Sequence, residues 1–331
     1  ELSAKLGFID AVDVAGYNYR ENLYAEHHLA FPDKPFLGSE NGHGFHEWRA
    51  VTDNDYISGQ FLWTGIDYLG EAHGWPIHGS GAGLLTLAGF EKPGYYRRQS
   101  FWSDEPMIHL TTVRETDSCV TSWGETAADA YACEFAASTE SWNYCAGEMV
   151  TVKCYTNLTS VELFLNDRSL GIYEKDAARD CILTTVKFEP GTLTAKGSEN
   201  DTSVSHSLYT VMAACQMDIQ EYTLPQKARD IIAGAARCCN PVHQLEITML
   251  DSNGRRVYHD STLLHVHVDN GTLLGIENGD LADVTEYTAN YRRAYRGQLI
   301  VYVADNGDTT AATPLTVTVR GDMVRTETVR I

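Results

Sequence analysis

No stretch of the 331-residue sequence reaches the roughly 18 unbroken apolar residues that a membrane-crossing helix requires, which excludes a helical span. The first twenty residues have neither the basic head nor the apolar centre of a secretory signal, and the chain opens on Glu1 rather than methionine, so export is not read from it. Positive charge is scarce. The 25 Lys and Arg face 45 Asp and Glu, and the resulting net charge of -20 repels nucleic-acid phosphates and anionic membranes. A neutral or cationic ligand suits such a surface better. Cysteine is missing from the first 118 residues, and the eight that follow (Cys119, Cys133, Cys145, Cys154, Cys181, Cys215, Cys238 and Cys239) form no Cys-x-x-Cys pair and no zinc spacing with histidine. They are expected to be small buried hydrophobes in a reducing compartment.

What is present is ordinary core material, 43% hydrophobic, in a chain long enough for two or three domains. Up to about residue 105, short apolar runs alternate with helix-like stretches. "VDVAGYNY", "PFLGS" and "GQFLWTGIDYL" are strand candidates and "RENLYAEHHL" a helical one, an interleaving that indicates a parallel α/β sheet or barrel. Rings crowd this segment: Tyr17, Tyr19, Trp48, Trp63, Tyr68 and Trp75. One strand surfaces at Glu40 and a glycine-rich loop, where an α/β barrel keeps its chemistry. The histidines at 27 and 28, and the "HGFH" run at 43 to 46, lack an acidic pattern that would complete a metal site, so they are expected on solvated surface and no metal is expected.

After "YYRRQSFWSDEP" the period becomes two, in runs such as "EMVTVKCYTN", "SVELFLND", "HQLEITMLDSNGRRV" and "QLIVYVADNGD". Asn-Gly at 253, 270, 278 and 306 predicts hairpins between them. Two β-sandwiches fit, joined by the least patterned part of the chain, 213 to 240, whose centre is expected to form a short helix.

Taken in order, "DVAGYNY", "PFLGSENG", "GQFLWTGIDYLGE", "GWP" and "AGFEKPGYYRRQSFW" resemble the last part of the catalytic barrel of glycoside hydrolase family 2, the β-galactosidase and β-glucuronidase family. "VELFLNDRSLG" with "FEPGTLTAKG", and "LLGIENGD" with "YRRAYRGQLIVYV", resemble the two domains that follow the barrel in the bacterial β-galactosidase branch. The resemblance implies a multidomain chain: a partial (β/α)8 TIM-barrel segment over 1–105, an immunoglobulin-like β-sandwich over 106–213 and a second β-sandwich over 214–331. It also implies a retaining exo-β-glycosidase, first a β-galactosidase and alternatively a β-glucuronidase, in the bacterial cytoplasm, or periplasmic or secreted if a leader was removed. Glu40 falls at the family's nucleophile, Tyr19 at a tyrosine that donates a hydrogen bond to it, and Trp63 at a tryptophan that packs on the sugar. His43, Asn18, Asp67 and Glu71 are further candidates for the sugar site.

The family's acid/base glutamate lies earlier in the barrel, in an Asn-Glu pair, and no Asn-Glu occurs here. A closed eightfold barrel takes ~250 residues. The expected partners are therefore a terminal β-galactoside and the amino-terminal barrel half and sugar-binding domains of the same enzyme, with association into a homo-oligomer compatible. No cofactor, nucleic acid or membrane is expected, and the chain alone is expected to be inactive. Glucuronide-cleaving members often carry an Asn-x-Lys after the last strand, which "GSGAGLLTLAGFEKP" lacks, so a neutral sugar is favoured. Thr86 stands where many relatives have an acid. A non-catalytic carbohydrate-binding or scaffold protein is the reading from another class.

Overall fold

The computed structural model describes residues 2–114, 138–177, 180–223, 241–307 and 312–331, with single positions at 225, 227, 228 and 310. The chain opens on the short helix α1 (Leu2–Lys5) and then builds a three-stranded parallel sheet in the order β1-β2-β3 from β1 (Ala15–Asn18), β2 (Phe36–Asn41) and β3 (Ile57–Leu62). Parallel neighbours need a crossover, and α2 (Tyr24–Ala30) and α3 (Phe45–Thr52) supply the two. Alternation sets the buried face of β1: Ala15 and Tyr17 are buried while Gly16 and Asn18 are exposed. With Ile9, Tyr24, Phe36 and Ile57 they form the core of this region. Gly38 is required by close approach, since a Cβ there would stand 1.9 Å from Asn41 Oδ1.

Two expectations are corrected in this part. His27 and His28 are not on solvated surface: His27 is 3% exposed and bonded to the Tyr17 hydroxyl at 2.9 Å, and His28 stacks on Tyr56 with ring centres 3.8 Å apart. The ring faces of both histidines complete the packing of α2 on the sheet. The run "GQFLWTGIDYL" is not one strand either. β3 stops at Leu62, Trp63 and a cis Trp63–Thr64 peptide follow, and β4 (Tyr68–Gly74) turns back through β5 (Ile77–Ser80) as a separate antiparallel pair. Then α4 (Pro93–Trp102) begins with proline in its first turn, where no amide donor is lost, and holds Arg98 against the rings of Trp48, Phe101 and Trp102.

Seven strands follow: β6 (Ile108–Arg114), β7 (Met149–Thr156), β8 (Ser160–Leu165), β9 (Arg168–Glu174), β10 (Ile182–Lys187), β11 (Thr192–Glu199) and β12 (Thr202–Tyr209). They form two sheets, β10-β7-β6 and β12-β11-β8-β9, closed over one core in which Trp142, Leu110, Val152, Leu163 and Leu193 are fully or almost fully buried. The second sandwich has β13 (Gln216–Glu221), β14 (Val242–Leu250), β15 (Leu263–Asp269), β16 (Gly271–Glu277), β17 (Tyr291–Arg293), β18 (Gln298–Asp305), β19 (Thr316–Gly321) and β20 (Val324–Arg330). Its sheets are β13-β14-β18-β16 and β17-β15-β19-β20, around Leu245, Ile247, Leu299, Val301 and Val317.

β13 occupies the stretch that shows least pattern in sequence, because its six residues pair fully with β14. The short helix expected beyond it falls mostly outside the described residues. None of the four Asn-Gly pairs joins two strands that pair with each other. Asn270–Gly271 lies between β15 and β16, which belong to different sheets, and Asn253–Gly254 and Asn306–Gly307 also stand on connections that change sheet. The tight hairpins use Asn-Asp instead, at Asn166–Asp167 (φ 50 and 63) and Asn200–Asp201 (φ 48 and 64), the positive pair a type I′ turn needs. Cys154 and Cys181 are buried as expected, whereas Cys145 and Cys215 are exposed. Cys119, Cys133, Cys238 and Cys239 lie outside the described residues.

Candidate active site

Because β1, β2 and β3 run parallel, their carboxy ends share one edge, and the backbone ladder continues past them. Asn18 is in register with Glu40, the Tyr19 amide donates to the Glu40 carbonyl at 2.8 Å, and the Trp63 amide donates to the Asn41 carbonyl at 3.1 Å. Tyr19, Glu40 and Trp63, distant in sequence, thus come to one rim. Tyr19 stands one residue past β1 in a left-handed conformation, φ 54, and Trp63 one residue past β3 rather than on it.

The Tyr19 phenol lies within the field of the Glu40 carboxylate. Burial first, then the charge of Glu40, pushes the phenol up to about 12, so it keeps its proton. Tyr68 and Glu71 add smaller electrostatic contributions to the same shift. The Trp63 indole N–H donates to the Tyr68 hydroxyl at 3.0 Å, their rings meet edge to face, and the Tyr68 hydroxyl donates to the Glu71 carboxylate. Trp63, Thr64, Gly65, Ile66, Tyr68 and Leu85 line an open depression of about 630 Å³.

The other candidates divide. Asn18 is exposed, and its side-chain oxygen accepts from the Ser39 hydroxyl at 2.8 Å beside Glu40. Glu71 is exposed on β4 with φ 48. His43 is partly buried and turned toward backbone: its Nε2–H donates to the Trp63 carbonyl at 2.9 Å, and burial lowers the ring to about 4, leaving it neutral. That contact fixes the Trp63 peptide from below.

Asp67 is not on the rim. It is 4% exposed, with one oxygen 2.8 Å from both the Lys92 ammonium and the Gly83 amide, and Lys92 also donates to the Gly81 carbonyl. Burial raises Asp67 and lowers Lys92, and their mutual attraction opposes both shifts. This pair clamps the base of the loop between β5 and α4. Thr86 is buried, and its hydroxyl accepts the Phe90 amide at 3.1 Å, closing a turn in which an acid is not needed.

Sequence reasoning missed Tyr68 as a site residue. Its signal was available, an aromatic five residues beyond Trp63 and three before Glu71. Chemically, the rim offers a carboxylate near a protonated phenol, and an indole beside an apolar hollow. One face of a pyranose is C–H and can lie on an indole, while its hydroxyls find polar neighbours. Among the described residues no group of three or more His, Cys, Asp or Glu is placed to hold a metal ion.

Comparison with known proteins finds likeness to glycoside hydrolases. The family model described as Glycoside hydrolase family 2 C-terminal domain 5 matches residues 238–330, and a domain of unknown function, DUF4982, matches 147–205. The β-galactosidase BoGH2A of Bacteroides ovatus is 27% identical, over 89% of this chain and 36% of that protein. A Formosa agariphila protein assigned as a β-glucuronidase is 26% identical, over 83% of this chain and 24% of its own length. The structure of a glycosyl hydrolase family 2 member from Bacteroides cellulosilyticus has the same fold over 98% of this chain and 42% of that one, with TM-score 0.84 and 24% identity. The chain thus spans about a third or less of the length of these curated relatives. Its residues 238–330 match a glycoside hydrolase family 2 carboxy-terminal domain, and the chain is similar to the carboxy-terminal portion of that family's proteins.

Proposed function

We propose that the chain carries the nucleophile side of a retaining exo-β-glycosidase site that releases terminal β-galactose. The observation that carries this reading is the meeting of Tyr19, Glu40 and Trp63 at the carboxy ends of three parallel strands, with the Tyr19 amide on the Glu40 carbonyl and the Trp63 amide on the Asn41 carbonyl. In this reading those strands are the closing part of a TIM barrel over 1–105, followed by sandwiches over 106–213 and 214–331. The sugar lies on Trp63, with Asn18 and Glu71 facing its hydroxyls and Tyr68 fixing the indole. The Glu40 carboxylate attacks the anomeric carbon as the bond to the leaving oxygen breaks, forming a glycosyl ester. A second carboxyl group protonates that oxygen, then takes a proton from the water that cleaves the ester and restores Glu40. That acid belongs to the part of the enzyme not spanned here, so the chain alone should turn over about 10²- to 10⁴-fold more slowly than the whole enzyme on this account.

The galactoside preference is supported by the likeness to BoGH2A and by the missing Asn-x-Lys. The glucuronidase alternative is kept by the second relative. The test uses the natural polypeptide that contains this chain, treated with a 2-deoxy-2-fluoro-β-galactoside and mapped by peptide mass. Label on the Glu40 peptide, lost in Glu40→Gln, is the expected result. Label on another peptide overturns the assignment, and labelling only by the corresponding glucuronide moves the substrate class.

A further inference from the structure

The run "LLGIENGD", which marks the second sandwich in sequence, plays no part in the chemistry above. In the structure it ends β16 and leads into a loop that is tied to itself. Glu277 Oε1 accepts the amides of Asn278 and Gly279, both at 2.8 Å; Asn278 Oδ1 accepts the Asp280 amide at 2.9 Å and Asp280 Oδ1 the Ala282 amide at 3.0 Å. The Asn278 amide group donates to Asp283 at 2.7 Å and to the Arg293 carbonyl at 2.9 Å. Arg292, 1% exposed, lies 3.4 Å from Glu277 and 4.0 Å from Asp283. The loop is therefore shaped before anything touches it, and Leu281 stands at its apex.

Leu281 meets the β4–β5 hairpin. Its carbonyl accepts the His78 amide at 3.1 Å, and its methyl groups press on Gly79 and touch Gly81: a Cβ on Gly79 would fall 2.8 Å from Leu281 Cδ2 and 2.7 Å from the Tyr68 carbonyl, and one on Gly81 would make ordinary contact, 3.7 Å from Cδ1. Gly279 is equally close to Thr86, at 2.7 Å from a built Cβ. This contact matters because, among the described residues, β4 and β5 pair only with each other, and a lone two-stranded hairpin is marginal in water. Its register is also interrupted between Leu69 and Gly74, with Gly70, Glu71 and Gly74 at positive φ. Such a hairpin holds Tyr68 and Glu71 against Trp63 only if something outside it fixes its position.

We propose that Leu281 is a positioning residue: the Glu277–Asp283 loop of the last sandwich wedges the Tyr68–Ser80 hairpin in place, and so sets the sugar-facing rim formed by Trp63, Tyr68 and Glu71. The effect on substrate rests on the glycosidase reading, whereas the effect on the hairpin does not. Leu281→Ala and Leu281→Met in the natural polypeptide separate the two. Hydrogen exchange over residues 68–80 should speed up about tenfold in the alanine variant, with β14 and β18 unchanged, and return toward the parent rate with methionine. KM for a nitrophenyl β-galactoside should rise about tenfold with kcat held within about threefold, because the hairpin contacts the binding platform and not Glu40. Unchanged exchange over 68–80, acceleration spread through the whole sandwich, or faster exchange with an unaltered KM overturns the proposal. Absence of turnover in the parent on every β-glycoside sinks the glycosidase reading instead, and the exchange result still decides the wedge.

Discussion

Tyr19 meets Glu40 twice, by its amide on the Glu40 carbonyl and by a protonated phenol within the field of the carboxylate, and does so from a left-handed backbone that costs an ordinary residue about 1 kcal/mol or more. Tyr19→Phe keeps the first contact and removes the second. A hydrogen bond to a charged group contributes about 1.5–3 kcal/mol, so kcat of the natural polypeptide should fall about 10- to 100-fold with the fold intact. Steady-state kinetics beside circular dichroism checks this, and an unaltered kcat would remove Tyr19 from the mechanism. Asp67 presents the opposite case, a buried carboxylate turned to Lys92 and the Gly83 amide. Asp67→Asn leaves the Lys92 ammonium buried without its counter-charge and should cost about 3–5 kcal/mol in denaturant unfolding, whereas replacing both partners with apolar residues should cost much less. If the double replacement is as damaging as the single one, the clamp is not electrostatic. The two residues also show what a sequence conveys. A polar side chain near a strand end looks the same whether it meets a ligand or a lysine 25 positions away, and only the fold places Lys92 under Asp67.

At the level of elements, the period of two marked the strands well, because a sandwich strand buries every second residue whatever it pairs with. Partner choice was not legible. Asn270–Gly271 looks like a hairpin turn in sequence, yet the strands on either side go to opposite sheets, since each finds a longer ladder elsewhere: β15 with β19, β16 with β18. Likewise β13 was hidden because its polar residues face out of an edge strand and leave only Met217 and Ile219 as core signal. The parallel order β1-β2-β3 could be read, as the two helical stretches between the strands demand crossovers. The turns that do close hairpins carry Asn-Asp, and Asp201 has φ 64 where glycine is the better residue. Asp201→Gly should therefore raise stability by about 0.5–1 kcal/mol, read as a higher denaturation midpoint. A loss of stability would mean that the Asp201 side chain contributes more than its backbone costs.

Across the whole molecule, the three regions meet at Glu140. One of its oxygens lies 2.8 Å from His109 on β6, the other 3.5 Å from Arg256 in the last sandwich, and Tyr96 of α4 stacks on His109 at 3.5 Å. Burial works to raise Glu140, but His109 and Arg256 outweigh it and hold the carboxyl below its usual range. His206 completes the joint from β12, 4.4 Å from the His109 ring. Its Nδ1 accepts the Leu110 amide at 3.1 Å, which requires that nitrogen to be unprotonated, and burial together with His109 lowers the ring to about 4. An unfolded histidine titrates near 6.5. Between those values the unfolded chain takes up a proton that the folded chain refuses, so stability is complete above about pH 6.5 and declines as the pH falls toward 4. His43, lowered to about 4 by burial, acts in the same direction at the other end of the molecule. Each should remove on the order of 2 kcal/mol by about pH 5, while Glu140, held below its usual range, adds to the loss only as the pH nears the ordinary carboxylate range. His206→Gln, whose side-chain oxygen can still accept the Leu110 amide, should flatten the loss between pH 6.5 and 5 by the share of one proton without weakening the protein at pH 7.5. Denaturant midpoints taken across that range measure it. An unchanged slope in the variant would show that the joint does not sense acid through His206, and a collapse at pH 7.5 would show that the imidazole is needed for packing instead.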